Sequence, residues 1–156
     1  DFDKNRSARI DKLYFNEDGT IREVIPTLRG GGPVKATSRV EIDRYSSIEG
    51  ARIEYVDTTD LFKGWKTIFT NPGDKVVFNE LDFGKKSPKN VVLCVKAPKE
   101  GEMALTAGET MTVTLPAAEE WTEVCMPMPF KVKRMHNLEM KLVEGTDVEI
   151  DWITFR

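Results

Sequence analysis

The sequence predicts an all-β protein: an antiparallel β-sandwich of jelly-roll type with an N-terminal β-hairpin extension. Three observations point there. Short runs rich in Val, Ile, Thr and aromatic residues are separated by turn chemistry about every eight to twelve residues. Helical periodicity is nearly absent. With 156 residues and 40% apolar content, the chain is long enough for one real core and too short for a large multidomain enzyme.

The elements follow in order. Ala8 to Phe15 alternates into Asn16-Glu17-Asp18-Gly19, whose Asp-Gly pair is a strong hairpin signal, and Ile21 to Ile25 returns the chain. Arg29-Gly30-Gly31-Gly32-Pro33 then breaks any ladder, because glycine is conformationally loose and Pro33 lacks an N–H donor. A boundary is therefore expected near residue 34, with a hairpin and linker over 1–33 and a sandwich over 34–156. Within the second region the spacing predicts strands over Arg39 to Tyr45, Ala51 to Tyr55, Thr67 to Thr70, Lys75 to Asn79 and Asn90 to Val95. Further strands are predicted over Met103 to Leu105, Thr110 to Leu115, Thr122 to Met128, Leu138 to Val143 and Val148 to Phe155. Thr58 to Trp65 has no clean alternation and reads as a loop at a sandwich end, where binding residues usually sit.

Charge and composition exclude several function classes. Twenty-three basic against 26 acidic residues give a net charge of −3 and a pI of about 5.4, with the two signs interspersed, so no nucleic-acid footprint is expected. No apolar run approaches the roughly 18 to 20 residues needed to span a bilayer. The opening Asp1-Phe2-Asp3-Lys4 reads as a processed end or an excision. Cys94 and Cys125 fit one disulfide or two free thiols equally well. One histidine, His136, sits among charged neighbours that suggest an exposed turn, and with two separated cysteines it leaves too few parts for a zinc site or a nucleophilic triad. A carboxylate pair able to hydrolyse a glycosidic bond cannot be singled out among so many acids, so the chain is not expected to be an enzyme by itself.

One internal echo is informative: Val40-Glu41-Ile42-Asp43 reappears as Val148-Glu149-Ile150-Asp151. Period-2 geometry puts the two carboxylates of each copy on one face and the two apolar residues on the other. If these strands are neighbours, up to four carboxylates converge, an arrangement that a hard cation such as calcium would relieve. Two ordinary strands with solvated outer faces give the same pattern. Among the aromatics, Trp152 reads as core, while Trp65 and Trp121 follow Lys-Gly and Glu-Glu as loop or edge residues would. An exposed ring flanked by carboxylates suits a neutral sugar, which is held by stacking and by hydroxyl hydrogen bonds.

Three stretches carry a family resemblance: Val40-Glu41-Ile42-Asp43-Arg44-Tyr45, Ile68 to Phe78 through Asn71-Pro72-Gly73-Asp74, and Val148 to Phe155. Residues 34–156 resemble a family-6 carbohydrate-binding module. Asn5 to Ile21 looks like the C-terminal segment of a family-43 glycoside hydrolase. The resemblance implies a structural calcium held by Glu41, Asp43 and Asp151. It also implies a ligand cleft between Phe69, where the family usually has Tyr, and Trp121, with polar partners Glu54 and Glu149, the latter standing where an Asn is usual. Two carboxylates that only accept hydrogen bonds would repel uronic acids, so neutral xylan-type chains are favoured.

The function implied is non-catalytic binding of plant cell-wall polysaccharide, with xylan or arabinoxylan as the expected chain, outside the cytoplasm. The partner would be a family-43-type catalytic domain in the parent chain, whose catalytic carboxylates lie elsewhere. The alternative is a structural sandwich that retains calcium, has lost sugar binding and packs on its catalytic neighbour through the hairpin.

Overall fold

The computed structural model describes residues 10–24 and 29–156. Its strands are β1 (Val34–Lys35), β2 (Val40–Glu41), β3 (Ser47–Glu49), β4 (Arg52–Tyr55), β5 (Trp65–Phe69), β6 (Lys75–Asp82), β7 (Asn90–Ala97), β8 (Gly101–Ala107), β9 (Glu109–Leu115), β10 (Ala118–Pro127), β11 (Met135–Glu144) and β12 (Val148–Phe155). They form two six-stranded sheets. The first runs β1-β6-β11-β8-β9 with β3 also on β6; the second runs β10-β7-β12-β5-β4 with β2 also on β12. Every pairing is antiparallel except β1 with β6.

Alternation fixes which faces meet. In β8, Gly101, Met103, Leu105 and Ala107 turn inward, and β9 answers with Met111, Val113 and Leu115. From the second sheet, Val91, Leu93, Val95, Val148, Ile150, Ile153 and Phe155 complete the core. Each buried Val, Leu, Ile, Phe or Met among them stabilises the fold by about 1.5–3 kcal/mol. The β7 run Val91–Val95 is buried on both faces. Its outward Val92 and Cys94 form a second cluster with Trp152, against which Trp121 packs.

The loop ends are built from turn chemistry. Asp74 accepts from the amides of Thr70 (2.7 Å) and Asn71 (2.9 Å), which fixes the turn between β5 and β6. Gly50 has φ 75°, and a Cβ there would lie 2.1 Å from the Asp74 carboxylate, so only glycine fits that close approach.

The hairpin turn forms as expected where it is described. Asn16 donates to the Thr20 carbonyl at 2.8 Å, Arg22 to that of Tyr14 at 2.9 Å, and Phe15 bridges Ile21. Ala8, Arg9 and Ile25 lie outside the described residues. Other expectations shift. The strand over Arg39 to Tyr45 stops at Glu41, because Arg44 donates back to the Glu41 carbonyl and turns the chain. Thr67 to Thr70 begins earlier, at Trp65, and β1 and β3 had too few alternating residues to be seen. His136 is not in a turn; it lies in β11, half-buried and edge-on to Phe83 at 6.2 Å.

Candidate functional site: the outer face of the second sheet

The two echoing segments are neighbours. Trp152 pairs with Glu41 and Ile153 with Val40. Ile42 donates its amide to the Asp151 carbonyl at 2.9 Å. Val40 and Ile42 enter the core as their parity dictates, while a bulge between Ile150 and Trp152 sets Asp151 out of the ladder.

Arg39 lies across these carboxylates. Its guanidinium donates to both Glu41 oxygens, at 2.8 and 3.2 Å, and to Asp151 at 3.0 Å, and it stacks 5.3 Å from the Trp152 ring centroid. Asp43 is almost fully buried, and burial holds its carboxyl above the ordinary range, with Glu41 and Asp151 adding to the effect. Asp151 is raised for the same main reason, against the pull of Arg39. Three carboxylates are chemically suited to calcium, yet two of them are bound to a guanidinium. Among the described residues no three His, Cys, Asp or Glu side chains are gathered as a metal-binding group.

Farther along the same face lies a polar network. Lys66 projects outward from β5 and its ammonium meets the Glu149 carboxylate at 2.9 Å. Glu54 pairs in register with Lys66 across β4 and β5, and its carboxylate accepts from Arg52 Nε at 3.0 Å. Arg52 also donates to Thr70 Oγ1 and lies 4.0 Å from Asp147. Two cations therefore interleave the two expected carboxylates, and the surface both donates and accepts. Lys66 escapes sequence reasoning because nothing local fixes the register that brings it to Glu149.

Trp121 stands at the same end. It precedes Thr122, which pairs with Val95; Val95 pairs with Ile150, next to Glu149. Two strand spacings put Trp121 and Glu149 about 10 Å apart across the face. The ring is half-buried against Val92, Cys94 and Trp152. Trp152 is buried as expected, but on the outer face beneath Arg39 rather than between the sheets.

Phe69 requires a correction. It is 0% exposed and belongs to the core between the sheets, opposite Val148. Its ring offers no face to a sugar, and no clamp forms with Trp121. The residues Thr67-Ile68-Phe69 are consistent with either parity; only pairing with β4 and β12 decides that Lys66 and Ile68 face outward. Other aromatics lie outside the core: Tyr55 and Trp65, both half-buried, stack at 3.8 Å, and Phe62 is fully exposed on a 3-10 turn over Leu61–Lys63. That turn is braced by Lys63 donating to Asp57 at 2.8 Å, a bond that holds the Asp57 carboxyl well below its ordinary range. Cys94 and Cys125 are both free: Cys94 lies opposite Glu123 and Cys125 opposite Val92, so neither faces the other.

No protein-family model matches the sequence, and no curated protein matches it significantly. Solved structures do. The module CsCBM6-3 from Clostridium stercorarium, in complex with cellobiose, superposes with a TM-score of 0.69 at 16% identity, over 80% of this chain and 97% of that one. A family-6 carbohydrate-binding module from Clostridium cellulolyticum in complex with xylose gives 0.65 at 21% identity, over 78% and 98%. A family-43 arabinoxylan arabinofuranohydrolase from Bacillus subtilis, in complex with cellotetraose, gives 0.70 at 19% identity. It covers 93% of this chain, which spans only 33% of that protein. The two-sheet sandwich described above is thus the fold of family-6 carbohydrate-binding modules, as the sequence resemblance led one to expect.

Proposed function

We propose that the chain is a non-catalytic carbohydrate-binding module, working outside the cytoplasm beside a glycoside hydrolase catalytic domain, and that it takes a neutral xylan-type chain on the outer face of its second sheet. The observation that carries this reading is the position of Trp121 beside the network of Lys66, Glu149, Arg52 and Glu54. An aromatic face stacks on the C–H side of a pyranose, while an interleaved set of donors and acceptors matches hydroxyl groups, which do both. The shared fold, seen with cellobiose and xylose in other modules, supports the same reading.

Calorimetric titration with xylohexaose into the millimolar range tests it, with circular dichroism as the folding control. Saturable heat from the wild type that is lost in Trp121→Ala supports the site; no heat from the wild type overturns it. Xylohexaose is also expected to shift Trp121 fluorescence.

A second reading is favoured by a separate observation. The hairpin exposes Ile10, Tyr14, Phe15 and Ile21, with Phe15 64% exposed. An apolar face of that kind suits packing against a catalytic domain. Calcium is a further proposal of the resemblance: Glu41, Asp43 and Asp151 would hold it only with Arg39 released from Glu41 and Asp151.

A further inference from the structure

The basic residues are not evenly spread in space. The segment linking β6 to β7 carries Lys85, Lys86 and Lys89, and the segment linking β10 to β11 carries Lys131, Lys133 and Arg134; all six are exposed. Hydrogen bonds knit the two segments together: Phe83 N–H to the Arg134 carbonyl (2.8 Å), Arg134 N–H to the Gly84 carbonyl (2.7 Å), Val132 N–H to Ser87 Oγ (3.0 Å) and Met128 N–H to the Lys89 carbonyl (2.7 Å). Exposed Arg156 joins them, bonded by its backbone to Asn90 at 2.8 Å.

Over 82–90, 128–137 and 156 there are seven Lys and Arg against one acid, Asp82, leaving 16 basic against 25 acidic residues in the rest of the chain. The Asp82 carboxylate accepts from the Gly84 amide at 2.8 Å. Among the described residues none of the seven cations forms an ion pair, whereas Lys12, Arg39, Arg52, Lys63, Lys66 and Lys75 each do. Between the two segments lies an open groove of about 630 Å³ lined by Asp82, Gly84, Lys85, Lys133, Arg134 and Met135. Arg134 is held at φ 62°, a left-handed conformation that a non-glycine residue keeps only where its surroundings fix it, and both its backbone groups are bonded to the neighbouring segment.

We infer that this basic end binds a polyanionic glycan, a polysaccharide carrying carboxylate or sulfate groups along its length. Three cations that line the open groove, Lys85, Lys133 and Arg134, with four more, Lys86, Lys89, Lys131 and Arg156, on the adjoining backbone, suit a repeating anion rather than one small ion, for which the groove offers no enclosing buried donor. Neither segment presents an exposed ring on which a base would stack, since Phe83 is buried and Phe130 packs against the core, so single-stranded nucleic acid is disfavoured. The surface is separate from the Trp121 face: Asn90 and Lys96 mark the two ends of β7, about 20 Å apart. The inference adds to the proposed glycan-binding reading without depending on Trp121.

Affinity electrophoresis and calorimetry at low ionic strength test it, using polygalacturonate (carboxylate), dextran sulfate (sulfate) and an oligo-dT as probes. The proteins are the wild type, Trp121→Ala, the triple variant Lys85→Glu, Lys133→Glu, Arg134→Glu, and the milder Lys133→Gln, Arg134→Gln. Binding of polygalacturonate or dextran sulfate is expected to weaken at least tenfold in the triple variant and several-fold in the glutamine variant. It is expected to fall steeply with added salt and to be unchanged in Trp121→Ala, without a Trp fluorescence shift; the preferred probe identifies the anion. No binding of either glycan by the wild type overturns the inference, as does unchanged binding in folded variants or tighter binding of oligo-dT. Loss of xylohexaose binding alone would defeat the neutral-chain reading and leave this one standing.

Discussion

Lys66 Nζ lies 2.9 Å from a Glu149 carboxylate oxygen, and both side chains are largely covered, at 14% and 20% exposed. Pairs this well covered fall between exposed pairs, which contribute little, and buried ones, whose disruption leaves an uncompensated charge. Lys66→Ala is therefore expected to cost about 1–2 kcal/mol in urea unfolding and to weaken xylohexaose binding, because it strands Glu149. Glu149→Gln, with Lys66 still able to donate to the amide oxygen, should lose less of both. Equal stability of wild type and Lys66→Ala would show the pair to be incidental.

Phe69 and Trp121 should separate cleanly on mutation. Phe69→Ala removes a fully buried ring and is expected to destabilise by about 3–5 kcal/mol. Trp121→Ala should leave a folded protein that has lost its sugar. A Phe69→Leu variant that keeps both stability within about 1.5 kcal/mol and xylohexaose affinity confirms that this position packs rather than binds.

The cation question has two measurable answers. Arg39→Ala removes a guanidinium shared by Glu41 and Asp151 and stacked on Trp152, so it should lower Tm in calcium-free buffer. If calcium restores that loss while leaving wild-type Tm unchanged, Arg39 serves where the resemblance expects an ion. A calcium-dependent rise in wild-type Tm, with an ion found by elemental analysis, establishes the calcium proposal instead.

The buried carboxyl of Asp43 and the half-buried one of Asp151 make a pH prediction. Both are held above the ordinary carboxylate value, chiefly by burial. The folded state thus holds those protons more tightly than the unfolded state, so their contribution to stability falls as pH rises from the ordinary carboxylate value through the folded one. Asp43→Asn is expected to raise Tm at pH 7, by about 2–4 °C for each kcal/mol of burial penalty removed, and to flatten this part of the profile. A lower Tm for Asp43→Asn at pH 7 would show that the carboxylate has a favourable partner.

The cysteines should titrate in two classes. Cys125 is exposed, whereas burial pushes the Cys94 thiol up to about 11. One thiol reacting with a disulfide reagent at pH 8 in the native state and two in denaturant is the expected result; none in denaturant would mean a disulfide.

Legibility in the sequence followed from how local each signal is. The Asp18-Gly19 turn, the alternation of β8 and β9 and the inward Val40 and Ile42 are set by neighbours one or two residues away, and they stand as read. The repeated Val-Glu-Ile-Asp pattern raises adjacency of its two copies only as a condition, and the pairing itself is set by the tertiary structure. The β5 parity was not legible: Thr67, Ile68 and Phe69 all tolerate burial, so the faces of Phe69 and Lys66 depend on partners in β4 and β12.

By itself, then, the sequence determined the all-β class, the strand spacing and which short segments turn, because propensity and period-2 patterning act within a few residues. Tertiary structure alone decided that Phe69 is core, that Lys66 reaches Glu149, that Arg39 lies between Glu41 and Asp151, and that cations from two distant loops share one end of the sandwich. Register and loop docking are long-range choices fixed by the burial of whole faces, and no local run of residues encodes them.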